Sequence, residues 1–322
     1  MDYKVYKKEP GVISSLKGLV NRKMEIVSAL NNITLEIDKG EVVGFIGPNG
    51  AGKTTFLKIL SGLLYPTSGI VKVNDFVPFE RKKAFRKSIS LVMGQKSQLI
   101  WDIAPIETFR VNRAIYEIDE VLFKKSLNEL SDLLDVTHCL NVPVRQLSLG
   151  ERMKMEVIAS LLHFPKILFL DEPTIGLDLK SQIAMRDFIK SYAHKNNINI
   201  IITSHYMEDI KSLCKQLVII NKGSIIYNGM LEKLYKSKSE YKYISLKTNE
   251  EIIKKLNIEA INAVDDEYKI KVKEEELNWV INKLINNGNI RDLTIENKPI
   301  EEIILDILNE GGNSFDKISD VF

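Results

Sequence analysis

The sequence predicts an α/β domain built on a parallel sheet, followed by a small, separate α+β domain. Three observations lead there. Residues 41–46 read as a buried strand that runs into a glycine-rich loop and then a helix at about 53–63. The apolar run 167–170 is short and bounded by Pro165 and Asp171, as in a central strand covered on both faces. After a linker at 237–241 the pattern restarts and again alternates strand with helix.

The elements follow in order. The first residues are basic, with Lys4, Lys7, Lys8, Lys17, Arg22 and Lys23. Among them Val12, Ile13, Leu16, Leu19 and Val20 recur at helical spacing, which predicts a short amphipathic helix over 12–22. From 24 to 37 the pattern alternates, predicting two strands with a turn at Asn31-Asn32. Asp38-Lys39-Gly40 reads as a turn, and 66–69 as another before a strand at about 70–74. Residues 97–165 read as helical, with helices at 105–115, 120–134 and 150–163. A helix at 179–194, a strand at 198–203 and a helix at 206–214 follow. Two strands around 216–227 turn at Lys222-Gly223. The last region reads as strands 242–246, 268–273 and 291–295 and helices 249–255, 274–286 and 299–309, with a frayed tail from Gly311. The expected domains are thus a basic segment 1–23, a main domain 24–236 and an accessory domain 237–322.

Composition narrows the function classes. With 322 residues, 44% hydrophobic and 27% charged, the chain is neither disordered nor fibrous. A net charge of +2 does not suggest a strongly basic nucleic-acid binder. Its apolar stretches fall far short of the ~18–20 residues of a membrane span. The start, MDYKVYKKEP, lacks the apolar core of a secretion signal. Cys139 and Cys214 form no paired framework, so a disulfide scaffold is not expected. A cytosolic protein is the reading these facts support.

The chemistry begins at Gly47-Pro48-Asn49-Gly50-Ala51-Gly52-Lys53-Thr54-Thr55, which fits GxxxxGK[ST] between a strand and a helix. Backbone N–H groups of such a loop, with the helix N-terminus, point at an anion. Lys53 is placed to reach the β and γ phosphates, Thr54 to ligate Mg²⁺, and Thr55 to support the phosphates. Asp171 ends the hydrophobic strand, where a carboxylate can hold Mg²⁺ or its water, and Glu172 follows as a candidate general base. Just upstream lies Leu147-Ser148-Leu149-Gly150-Glu151, where Ser148 also reads as a plain helix N-cap.

A phosphate loop, then this segment, then an acidic strand end resembles the nucleotide-binding domain of ABC transporters, whose signature is usually LSGGQ. Leu149 and Glu151 depart from that pattern, while Ser148 and Gly150 keep it. The resemblance spans about 24–235 and implies a P-loop NTPase fold, with a RecA-like core, an antiparallel β subdomain and a helical signature subdomain. It implies ATP and Mg²⁺ as ligands. Gln95 matches the glutamine that senses the metal, with Gln98 as local competitor. Gly176-Leu177-Asp178 matches the loop that crosses the dimer interface, and His205 the switch histidine. The aromatic residue that stacks on adenine in the family falls at Met24 here, with Tyr3 and Tyr6 as alternatives. His138, His163 and His194 match nothing in the family and read as surface or helix-end residues.

Residues 92–99 and 143–150 resemble the daunorubicin-resistance/viologen-type branch, which pairs a free-standing ATPase with separate membrane subunits and is mostly assigned to export. One phosphate loop and one signature per chain imply a second nucleotide-binding domain, as homo- or heterodimer, and separate polytopic membrane partners. The implied site is cytoplasmic, peripheral on the inner membrane face, with Trp101, Ile103 and Ile106 as candidate partner contacts or as core. A soluble ATPase of this type acting on ribosome or nucleic acid is the alternative.

Overall fold

Strands that are apolar without interruption need cover on both faces, and the first unit of the chain supplies it. The computed structural model describes residues 2–6, 24–94, 96–237, 241–248, 260–264, 267–287, 290 and 292–310. The helices expected over 12–22 and 249–255, Gln95 and the tail from Gly311 lie outside the described residues. The chain divides into two compact units, Met1–Asn228 and Gly229–Phe322.

The first unit opens with β1 (Asp2–Tyr6) and β2 (Met24–Ser28), an antiparallel pair that sets Tyr6 opposite Met24. Then come β3 (Val42–Ile46), α1 (Lys53–Leu60), α2 (Lys83–Ser88), β4 (Ile89–Met93), α3 (Pro105–Tyr116), α4 (Glu120–Leu133) and α5 (Leu149–Leu161). The order continues with β5 (Ile167–Asp171), α6 (Leu179–Asn196), β6 (Asn199–Thr203), α7 (Met207–Leu213), β7 (Gln216–Asn221) and β8 (Ser224–Met230). One six-stranded sheet runs β4-β5-β6-β3-β7-β8, parallel from β4 through β7. Val43, Phe45, Phe169, Ile200, Ile202, Leu217 and Val218 are all buried. Phe45 stacks on Phe56 of α1 at 4.7 Å between ring centroids, fastening the helix to the sheet.

Two expected strands do not form. Residues 33–37 make no ladder; Ile33, Leu35 and Ile37 pack on the core beside β3 without one, so their alternation records burial alone. Near 70–74 only Val73 and Phe76 bridge, around Asn74 and Asp75, both at positive φ. That is a two-residue hairpin turn with one rung.

The second unit contains α8 (Leu231–Ser237), β9 (Tyr241–Lys247), β10 (Ala260–Val264), β11 (Glu267–Lys273), α9 (Leu277–Asn287), β12 (Asp292–Asn297) and α10 (Ile300–Glu310). Its antiparallel sheet runs β10-β11-β9-β12. Ile244, Leu246, Ile270 and Val272 form one face and pack with Val280 and Leu284 of α9. The sequence reading missed β10, and the expected helix 274–286 begins as a 3₁₀ turn at Glu274–Glu276.

Phe169 is fully buried in the middle of β5. Phe169→Ala is expected to lower the unfolding free energy of this unit by about 3–5 kcal/mol. Urea unfolding followed by circular dichroism checks it.

Candidate nucleotide-binding site

The site lies at the carboxyl ends of β3, β5 and β6, where open parallel sheets place their ligands. After β3 the chain turns through Gly47, whose added Cβ would fall 2.1 Å from the Ile220 carbonyl oxygen, so no side chain fits. Gly52, at φ 109°, starts α1, and no side chain caps that helix. Its first-turn N–H groups are therefore left for an anion. Pro48, Asn49 and Gly50 are exposed, and Ala51 is buried. The Gly223 N–H donates to the Ala51 carbonyl at 3.0 Å, so the turn after β7 props the loop from behind.

Lys53 is buried, and its Nζ donates to the carbonyls of Gly47 at 2.7 Å and Pro48 at 3.2 Å. Burial lowers its pKa, opposed by the nearby charges of Glu172 and Asp171. A cation held in a desolvated loop by neutral carbonyls suits an anionic ligand.

Asp171 gathers two hydroxyls. Thr54 Oγ1 donates to its Oδ2 at 2.9 Å, and Thr203 Oγ1 to its Oδ1 at 2.7 Å. Glu172 follows at φ 55°, the left-handed region that a glutamate adopts only when its surroundings enforce it. Here its N–H donates to the Thr203 carbonyl at 3.0 Å and to Thr203 Oγ1 at 3.1 Å. Its Oε1 then lies 2.8 Å from His205 Nε2. The structure thus brings Lys53, Thr54, Asp171, Glu172 and His205 together; Thr55 lies half-buried in the first turn of α1.

Ser148 and Gly150 sit at the start of α5. The Ser148 hydroxyl accepts from the Glu151 N–H at 3.2 Å, while Glu151 Oε2 accepts from the Ser148 N–H and hydroxyl at 2.8 Å each. This capping box makes Ser148 an N-cap, the plain role open to it, and leaves Gly150 in the first turn. The Ser148 N–H and hydroxyl hold the Glu151 carboxyl down at about 2. Gly150 is also a contact residue: a Cβ there would meet Ser181 Oγ at 2.6 Å. Ser181 in turn donates its N–H at 3.0 Å and its hydroxyl at 2.7 Å to Asp178, the N-cap of α6. Those bonds lower the Asp178 pKa.

Sequence reasoning missed two buried carboxylates. Asp209 of α7 is fully buried, and its Oδ2 accepts 2.5 Å hydrogen bonds from Thr174 and Ser204. Arg186 lies 3.7 Å from its other oxygen. Thr174 is two residues after Glu172, and Ser204 directly precedes His205, so this carboxylate braces both loops. Glu156 of α5 is buried too and accepts from the Ser97 hydroxyl and the Gln98 N–H. It therefore ties the signature-bearing helix to the segment just after Gln95. Nothing in a local motif marks either residue, since most of their partners are remote in sequence. Gln98 spends its own amide on the Leu91 carbonyl at 3.0 Å. Trp101 is exposed with the Arg152 guanidinium 5.8 Å from its ring, and Ile103 and Ile106 are half-buried.

Asp209→Ala would strand two hydroxyls and the Arg186 charge in the interior. Unfolding free energy is expected to fall by about 3–5 kcal/mol, measured by urea titration.

Residues 30–175 match the family model described as ABC transporter. The ABC transporter ATP-binding protein NatA of Bacillus subtilis is 34% identical over 215 residues, 67% of this chain and 87% of NatA. The bacitracin transport ATP-binding protein BcrA of Bacillus licheniformis is 30% identical over 213 residues, 66% of this chain and 68% of BcrA. The daunorubicin resistance ATP-binding protein DrrA3 of Streptomyces coeruleorubidus is 30% identical over 206 residues, 64% of this chain and 65% of DrrA3. Among solved structures, an ATP-binding subunit of an ABC transporter matches with a TM-score of 0.60 at 24% identity, covering 65% of this chain and 86% of that one. A dimeric ATP-binding cassette, bound to ADP and Pi after hydrolysis, matches with a TM-score of 0.59 at 24% identity, covering 64% and 92%. At that identity the structures speak for the fold alone. The phosphate loop, the acidic strand end and the extent of likeness to NatA together make this chain a member of the ABC transporter family, among its ATP-binding proteins.

Proposed function

We propose that this chain hydrolyses ATP as the peripheral motor subunit of a membrane exporter. One observation carries the reading: Lys53, Thr54, Asp171, Glu172 and His205, spread over 153 residues of sequence, converge at the carboxyl ends of the strands. The names of BcrA and DrrA3, bacitracin transport and daunorubicin resistance, favour export.

The donor set fits Mg²⁺. A threonine hydroxyl and a carboxylate are hard oxygen ligands, and Thr54 and Asp171 already face each other at 2.9 Å. The resemblance adds Gln95. Bound there, the ion would neutralise charge on the phosphates. The chain's residues do the rest. Lys53 exchanges its carbonyl partners for phosphate oxygens. Loop N–H groups from Gly47 to Thr55, with the uncapped end of α1, take the remaining oxygens. Glu172 orients the attacking water and accepts its proton, and His205 holds the Glu172 carboxylate and faces the γ-phosphate.

The dimeric arrangement completes the site. Ser148 and Gly150 of one chain meet the ATP held by a second, with Asp178 at the crossing. Ser148 then turns its hydroxyl from Glu151 to phosphate. Among the described residues no helix is long and apolar enough to cross a membrane. On this reading the pore belongs to separate polytopic subunits, which the chain meets at the inner membrane face. Residues 24–236 form the motor and 237–322 an accessory domain.

Glu172→Gln should reduce ATP turnover at least about 100-fold while ATP still binds and promotes a dimer on gel filtration. Wild-type turnover in that variant would remove Glu172 from the role of base. Lys53→Ala should lose nucleotide binding itself, read by fluorescence with a labelled ATP analogue. Tagged chain drawn from gently solubilised membranes should bring stoichiometric polytopic partners. A ribosome or nucleic-acid complex in their place would overturn the transport reading.

A further inference from the structure

We propose that His138, Cys139 and Glu151 form a binding site for a zinc-type divalent metal ion at the base of the signature segment. Their ligand atoms, an imidazole nitrogen, a thiol sulfur and a carboxylate oxygen, all lie within 4.8 Å of one another. That mixture of donors is the one Zn²⁺ favours, and three protein ligands leave a fourth position open. The spacing is close to what the ion needs. Two N or O ligands about 2.0–2.1 Å from Zn²⁺ at the tetrahedral angle lie about 3.4 Å apart. His138 Nε2 and Glu151 Oε1 are 3.5 Å apart.

The three residues come from two elements. His138 and Cys139 belong to a 3₁₀ turn, Thr137–Cys139, and Glu151 to the first turn of α5. Cys139 is buried and fixes the inner ligand, while His138 is two-thirds exposed and leaves a path of entry. Glu151 divides its oxygens: Oε2 serves the Ser148 cap and Oε1 turns to His138. An ion can therefore bind through Oε1 with the capping box intact. Cys139 enters as thiolate, its proton leaving to solvent and its sulfur bonding the metal. The glutamate that departs from the usual signature supplies the third ligand. Metal on Oε1 would offset its negative charge beside Ser148.

The test uses the full chain, stripped with a chelator and titrated with Co²⁺ as spectroscopic probe. One equivalent should bind with a thiolate-to-cobalt charge-transfer band, and Zn²⁺ should displace it. Cys139→Ser should abolish the band. His138→Ala, a change at an exposed side chain, should weaken binding at least about tenfold, since even outer-shell partners of a metal cost 10–100-fold. Zn²⁺ should also raise the melting temperature of the parent chain more than that of His138→Ala. A titration without a thiolate band, a band that survives Cys139→Ser, or equal affinity in His138→Ala would each overturn the site, the last meaning adventitious surface binding. Each readout is binding or stability, so failure here and failure of the ATPase reading are distinguishable.

Discussion

The Asp171 carboxylate holds hydroxyls from two other elements, and the geometry of the site depends on it. Thr54 comes from the helix after the phosphate loop and Thr203 from the next strand of the sheet. The parallel ladder makes this possible: Asp171 lies in register with Thr203, and Thr203 with Phe45 near the end of β3. A slip of one residue would turn Asp171 to the other face and part all three. The same threonine also bonds the Glu172 N–H and supports its left-handed backbone. Strand register therefore determines where the candidate base points.

Around this centre the chain uses buried carboxylates as braces. Asp209 joins the loop after Glu172 to the loop before His205, and Glu156 joins α5 to the turn after Gln95. Unpaired, either charge would be costly in the interior; paired with several donors, each restricts its loops to one arrangement. The segments they hold are thereby tied to α5 and α7. The phosphate loop is handled differently. It is packed by backbone against backbone, Gly47 under the Ile220 carbonyl and Ala51 against Gly223.

The signature segment combines both manners. Its serine and glutamate satisfy one another in a capping box, and its glycine admits Ser181 of the neighbouring helix. Signature and Asp178 are thus linked within one chain through Ser181.

What was legible in the sequence is what is contiguous. The loop from Gly47 to Thr55, the strand ending at Asp171, the cap at Ser148 and most helices follow from local spacing and side-chain chemistry, which the chain carries wherever it folds. Alternation misled at 33–37, because it reports burial and not the presence of a ladder partner, and the strand expected at 70–74 is reduced to one bridge. Tertiary structure alone decided the Asp171–Thr203 bond, the Asp209 and Glu156 braces and the meeting of His138 and Cys139 with Glu151. The partners in the hydrogen bonds among them lie 5 to 59 residues apart and carry no shared motif. Strand order and helix packing bring them to hydrogen-bond distance, and no local pattern encodes either.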